Sequence, residues 1–298
     1  MQKIKLGCRP SKLALIQAEQ VKKKIKETFN DVLIDIVPIK TVGDINQTSS
    51  LKELGGKGVF IKAIEEALLA KKIDAAVHSF KDITASISKK TKLICFLKPE
   101  AITDCVIFHS NNNNSSLATL KKNSVVATSS QRRRLYLQHY YPHLKVKDIR
   151  GNVETRIKKC KDGYADAVIL SEAGLIRLQL EEYISETLDP SHFVPAPGQG
   201  VVAVQTHKED PLNKYFQSIS DPEQTELSSL EYLFLETVGL DCNYPLGLIL
   251  IKEENRIRYI VKWATLDMKQ IYETQGDFDI ASATDSIVRL ATGIKNKL

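Results

Sequence analysis

The sequence has no long apolar run, no paired-cysteine motif and no phosphate-binding glycine loop, and each absence removes a class of protein. Nothing approaches the ~18 consecutive apolar residues of a membrane-spanning helix, so no membrane partner is expected. The first residues, MQKIKLGCRPSKLALIQAEQ, lack the apolar core and small-residue cleavage site of a secretory signal. A cytoplasmic location is the expectation. Five cysteines (Cys8, Cys95, Cys105, Cys160, Cys242) stand far apart, with no CxxC pair and no Cys/His cluster of metal spacing. Disulfides, structural zinc and any other metal site are therefore not expected. LGGKGVF lacks the spacing of a P-loop. There is no internal repeat, and NNNNSS at 111–116 is the one low-complexity stretch, read as an exposed turn.

What is present is the composition of an ordinary globular protein. The 298 residues are 43% hydrophobic and 26% charged, enough for about two or three domains. A net charge of +6 favours an acidic partner. Nucleic acid, anionic lipid and a small polycarboxylate all qualify on charge alone.

Strand-length apolar runs alternate with helical-period segments through the first two-thirds, which argues for α/β units. IKLGC leads into LALIQAEQVKKKIKETF, where Leu13, Ile16, Val21 and Ile25 share a face and Ser11 is the expected N-cap. DVLIDIVPI and AAVHSF read as strands around the helix FIKAIEEALLAKKI; SVVATSS, LKVKDIR and DAVILSE read as three more. DINQTSSLKELGGKG, residues 44–58, is a long polar loop, either a lid or an inert surface loop. Proline-bearing stretches at 97–104 and 193–206 look like a double hinge between two α/β domains. Beyond residue 220 a helix, a turn around Cys242, two strands and a last helix suggest a small α+β domain.

In open α/β sheets, ligands sit beyond the carboxyl ends of the strands. Arg9 and Ser11 follow the first strand, Lys81 and Asp82 the AAVHSF strand, and Ser129, Ser130, Arg132 and Arg133 the SVVATSS strand. Arg150 and Arg156 follow KVKDI, and Arg177 follows AVILSEAG. Singly, each arginine reads as a solvated helix-start residue. Together, beside helix N-termini and hydroxyls, they suit an anion with several carboxylates or phosphates. Nucleic acid is the rival, since QRRRLYLQHYY interleaves arginine with tyrosine. The cations are scattered over strand ends rather than gathered on one helix, which suits a crevice better.

Two residues stand apart. Asp82 is a lone acid among cations; it suits a reaction that passes through a cation or holds an N–H, or it is a surface pair with Lys81 or a helix cap. His78 reads as a packed residue supporting that position. Cys242, in GLDCNYPLG, sits on a turn rather than in a core strand. There a thiol is a ligand, a nucleophile or an attachment point, unless it is simply a small apolar residue.

The runs RPSKLAL from Arg9, GGKGVFIKAIEEALL, DAAVHSFKD, TSSQRRR, IRGNVETR, AGLIRL, PAPGQG and CNYPLG, in this order, resemble the hydroxymethylbilane synthase (porphobilinogen deaminase) family. The resemblance spans about residues 4 to 250. It implies an α/β fold of three domains, the first two resembling a two-lobed periplasmic binding protein (type II) and the third a small α+β domain. The expected boundaries are 1–98 plus 199–217 for a discontinuous first domain, 103–194 for the second and 221–298 for the third. It further implies a transferase of tetrapyrrole (haem) biosynthesis. Four porphobilinogens are added stepwise, each losing ammonia, to a dipyrromethane cofactor, and hydrolysis releases the linear tetrapyrrole hydroxymethylbilane.

Position by position, the resemblance makes Cys242 the thioether anchor of the dipyrromethane and Asp82 the catalytic carboxylate that holds pyrrole N–H groups and stabilises an azafulvenium cation. Arg9, Ser11, Lys81, Ser129, Ser130, Arg132, Arg133, Arg150, Arg156, Arg177 and Gln199 bind cofactor and substrate. Lys57 and Phe60 stand at the lid. The implied partners are porphobilinogen and the growing polypyrrole, with no nucleic acid, and the chain is expected to be a monomer. Departures from the family pattern are Thr103 for an arginine, Gln205 for a glutamate, Leu240-Asp241 for a glycine pair and Tyr232 for an arginine. A two-lobed binding protein without turnover, which needs the arginines but neither Asp82 nor Cys242, is the alternative reading, and a basic nucleic-acid binder is the third.

Overall fold

Alternation of Ile4, Leu6 and Cys8 with exposed Lys3 and Lys5 makes the first strand, β1 (Gln2–Cys8), one-sided. The computed structural model describes residues 2–41, 61–110, 116–239, 244–265 and 270–298. Lys57, Phe60, Leu240-Asp241 and Cys242, and the whole of the loop 44–58, lie outside the described residues. The buried face of β1 packs on the helix Lys12–Thr28, whose Ala14, Gln17, Ala18, Val21 and Ile25 recur at helical period. Ser11 caps that helix as expected, its Oγ accepting from the Ala14 N–H at 3.4 Å.

The chain forms two compact units, Met1–Pro99 with Val201–Cys242, and Glu100–Gly200 with Asn243–Leu298. The first holds β1, β2 (Val32–Pro38), β3 (Ala75–Ser79) and β4 (Thr91–Leu97). The second holds β5 (Asp104–Phe108), β6 (Val125–Ala127), β7 (Lys145–Lys147), β8 (Ala167–Ser171) and β9 (Glu186–Thr187). The chain then returns to the first as β10 (Val202–His207).

The two sheets have one topology. The first is ordered β2-β1-β3-β10-β4 and the second β7-β6-β8-β5-β9. In each, three parallel strands are followed by one antiparallel strand, β10 or β5, supplied by the segment just beyond a crossing. Parallel strands need crossover connections, and helices provide them, which places the helix starts at the strands' carboxyl ends. This doubled α/β arrangement is the one the resemblance implied for the first two domains.

The remaining strands, β11 (Leu246–Glu253), β12 (Arg256–Ala264) and β13 (Ile271–Asp279), form a small antiparallel meander with the helix Ala283–Lys295 against β13. Ile249 and Ala264 of this sheet join the core around Val106, Leu135, Tyr136 and Phe193 in the same unit. Gly247 is fixed by that packing. A Cβ there would stand 2.4 Å from Tyr136 Oη and 2.5 Å from the Val194 carbonyl oxygen. The helix Pro222–Val238 instead belongs to the first unit, where the Asp221 N–H donates to the Phe96 carbonyl at 3.0 Å.

Candidate functional site

In the first unit, β1 and β3 are parallel, hydrogen-bonded neighbours, so their carboxyl ends form one rim. Arg9 and Ser11 leave that rim from β1; Lys81 and Asp82 leave it from β3, on the 3-10 turn Phe80–Asp82. All four are half-buried. The turn is held from below: Phe80 is fully buried edge-on to Phe96, ring centroids 5.2 Å apart, and its N–H donates to the Val201 carbonyl at 3.0 Å. Buried Gln17 donates from Nε2 to Ser79 Oγ at 2.9 Å, tying the first helix to the end of β3.

Beneath the turn, His78 is buried, and its Nε2 lies 3.1 Å from Gln205 Oε1. Burial pushes the imidazole down to about 4, against the opposing pulls of the Gln205 hydrogen bond, Glu65 and Asp82. It is a neutral residue at neutral pH. Tyr232 is in the same unit, its hydroxyl accepting from the Ile87 N–H at 3.4 Å.

In the second unit, β6 lies between β7 and β8, all parallel, so three carboxyl ends meet. Ser129 and Ser130 follow β6, and Ser130 caps the helix Gln131–Tyr140 by accepting from the Arg133 N–H at 3.4 Å. Arg150 follows β7. Asn152 caps the helix Val153–Lys161, and Arg156 on its first turn donates from Nε to the Gly151 carbonyl at 2.8 Å. Arg177, in the helix Glu172–Leu178 after β8, donates from Nη2 to the Gly200 carbonyl at 2.6 Å. Its Nε is buried without a hydrogen-bond partner.

Arg132, Arg133 and Gln199 are placed differently from the other cations. All three are buried around Asp104, the first residue of β5. Arg132 Nη2 lies 2.9 Å from Asp104 Oδ2 and Arg133 Nη2 2.8 Å from Oδ1, while Gln199 donates from Nε2 to Oδ1 at 2.9 Å. The arginines also donate to the Val194 and Ile169 carbonyls, at 2.8 and 2.9 Å. Burial alone would raise the Asp104 carboxyl; the two guanidinium groups hold it well below the usual carboxylate range. The cluster keeps one net positive charge. Sequence reasoning did not single out Asp104, although an acid opening the otherwise apolar strand DCVIF needs buried cations nearby.

The four described cysteines, Cys8, Cys95, Cys105 and Cys160, are buried. Burial pushes the thiols of Cys8 and Cys160 up to about 11 and that of Cys95 up to about 12, which suits packing rather than nucleophilic attack. Among the departures, Thr103 Oγ1 donates to the Glu172 carboxylate within the second unit. Among the described residues no helix is long and apolar enough to cross a membrane.

The chain is a doubled α/β protein whose strand ends carry half-buried cations and hydroxyl-capped helix starts, groups of the kind that bind anions, and Arg177 Nε is buried without a hydrogen-bond partner. The family model described as porphobilinogen deaminase, dipyromethane cofactor binding domain, matches residues 4–214. Porphobilinogen deaminase of Caldicellulosiruptor saccharolyticus is 33% identical, covering 100% of this chain and 99% of its own. That of Rickettsia prowazekii is 40% identical over 82% of this chain and 81% of its own. Among solved structures, the methionine binding protein MetQ is similar over 77% of this chain and 95% of its own, at 14% identity and a TM-score of 0.47. The chain belongs to the porphobilinogen deaminase family.

Proposed function

We propose that the chain is a hydroxymethylbilane synthase, a transferase of tetrapyrrole biosynthesis. It joins four porphobilinogen molecules head to tail and releases the linear tetrapyrrole by hydrolysis, working with a covalently held dipyrromethane. At each joining a C–N bond of porphobilinogen breaks and a C–C bond forms, while the displaced pyrrole proton leaves with the ammonia. The observation that carries this reading is the family match over residues 4–214, which spans every strand-end cation named above.

When bound, the dipyrromethane supplies the free pyrrole carbon at which extension begins. Cys242 is its thioether anchor. Asp82, on the rim of the first unit, accepts from pyrrole N–H groups and stabilises the positive charge left on the substrate as ammonia departs. Arg9, Ser11 and Lys81 on that rim, and Ser129, Ser130, Arg150, Arg156 and Arg177 on the other, hold acetate and propionate groups. Arg132 and Arg133, with the Gln199 amide beside them, give the Asp104 cluster its net positive charge at the helix start of Gln131–Tyr140. Lys57 and Phe60 are the residues to which the family resemblance assigns the lid. Porphobilinogen and the growing polypyrrole are the partners of a cytoplasmic monomer that binds neither nucleic acid nor membrane.

The test is the intact mass of the purified chain beside Cys242→Ser, with product formation assayed from porphobilinogen. A native chain heavier than its sequence by one two-pyrrole adduct, absent from the variant, supports the reading. A folded native chain that neither carries nor gains an adduct on incubation with porphobilinogen sinks it.

A further inference from the structure

The segment from His78 to Thr91 carries Asp82 near its start, and both of its ends reach Gln205, the far end reaching Glu65 as well. Gln205 is fully buried in β10 and donates from Nε2 to Glu65 Oε1 at 2.7 Å and to Thr91 Oγ1 at 2.8 Å. Glu65, on the helix Lys62–Leu69, also accepts from the Ser88 N–H at 2.8 Å. The Thr91 hydroxyl donates to the Ser88 carbonyl at 2.9 Å.

The amide orientation is dictated. A carboxylate accepts only, so the Gln205 nitrogen must face Glu65, which leaves its oxygen for His78. His78 therefore carries its proton on Nε2. The backbone is shaped to the same end: the register of β10 against β4 slips between Val204 and Gln205, an irregularity of the kind that re-aims a side chain. Phe80 and the Asp82 turn follow His78 directly, and Ser88 closes the segment beyond it.

We propose that Gln205 is a positioning residue that fixes the Lys81–Asp82 turn through a hydrogen-bond chain that runs from buried His78 to half-buried Glu65. The inference rests on the role of Asp82 proposed above. Gln205 touches no reacting group; it acts by holding both ends of the segment on one donor–acceptor unit.

Four variants decide it, each measured for kcat and KM with porphobilinogen and for melting temperature. Gln205→Leu removes the unit and is expected to lower kcat about tenfold, with KM moving less than about twofold. Gln205→Glu places two carboxylates in contact and is expected to lower kcat as well. Adding Glu65→Gln to Gln205→Glu restores one carboxylate facing one amide, and kcat is expected to recover most of that loss. Native kcat in a folded Gln205→Leu, or an effect confined to KM, overturns the proposal. Should Gln205→Leu fail to fold, the swap decides: kcat no higher than in Gln205→Glu alone overturns the proposal, and recovery supports it. Asp82→Asn, run alongside, separates the two readings. If it is inactive while Gln205→Leu is native, only the positioning role fails; if Asp82→Asn itself turns over normally, the role of Asp82 fails and takes the inference with it.

Discussion

Arg133 Nη2 and Asp104 Oδ1 lie 2.8 Å apart, the carboxylate fully buried and the guanidinium nearly so, and Arg132 closes the other side of the same carboxylate at 2.9 Å. The carboxylate at the start of β5 thus binds the first turn of a helix to the sheet beneath it. Asp104→Ala leaves two guanidinium groups buried without their anion and is expected to destabilise the protein by about 3–5 kcal/mol. Denaturant unfolding measures it. Because the folded-state carboxyl is depressed, its contribution is complete above about pH 4 and is lost only as pH falls below that value. Asp104→Asn should therefore weaken the acid dependence of stability; an unchanged acid limb contradicts the assignment.

Asp82→Asn keeps the shape of the side chain and removes its charge. Turnover is expected to fall by at least about a hundredfold while the melting temperature stays near native. A steady-state assay with porphobilinogen gives the answer directly.

Burial puts the His78 imidazole in the acid range, with Gln205, Glu65 and Asp82 pulling the other way. Between about pH 6.5 and the folded value of about 4 the unfolded chain binds the proton and the folded chain does not. Stability should fall with pH across that window, by on the order of 3 kcal/mol, and be unaffected above it. Replacing His78 by Gln should flatten the slope. Imidazole resonances of His78 that move between pH 6 and pH 8 in the native protein would show the assignment to be mistaken.

Arg150→Ala removes one half-buried cation at the end of β7. Extension of the polypyrrole is expected to stall, with intact-mass spectra showing intermediates short of the full set. A complete ladder at native rate argues that Arg150 serves no carboxylate.

Gly247→Ala probes the packing at the start of β11. The added methyl meets a backbone carbonyl that cannot swing away, so a loss of about 1–3 kcal/mol is expected by thermal melting. A neutral outcome means that β11 shifts to admit it.

The parallel strands were legible because each carries its own signal, whereas β4, β5, β9 and β13 were not read from the sequence. Ile4, Leu6 and Cys8 alternate with lysines, and AAVHS and AVILS are short apolar runs ended by helix starts. Ser11 announced its helix by chemistry that acts over three residues. Strand order was not legible, since which strands pair depends on contacts between segments far apart, such as β10 inserting between β3 and β4. The rim residues could be collected by one rule, that loops follow strand ends. The state of Arg132 and Arg133 could not, because in TSSQRRR nothing local distinguishes an arginine facing a ligand from one turned onto Asp104. Gln205 looked like a replacement for a glutamate, and only the fold shows a glutamate side chain, Glu65, already facing it.

The insertion of β10 also sets an order of assembly on the ribosome. All five strands of the second sheet lie between residues 104 and 187 and can pair as soon as they emerge. The first sheet cannot close: β3 and β4 both need β10, which appears about a hundred residues after β4 ends. At about 5–20 residues per second, that is roughly 5 to 20 seconds in which two strands wait with unpaired edges. The amino-terminal body is begun first and finished second, so the nascent chain is most prone to wrong pairing in the part that carries Asp82.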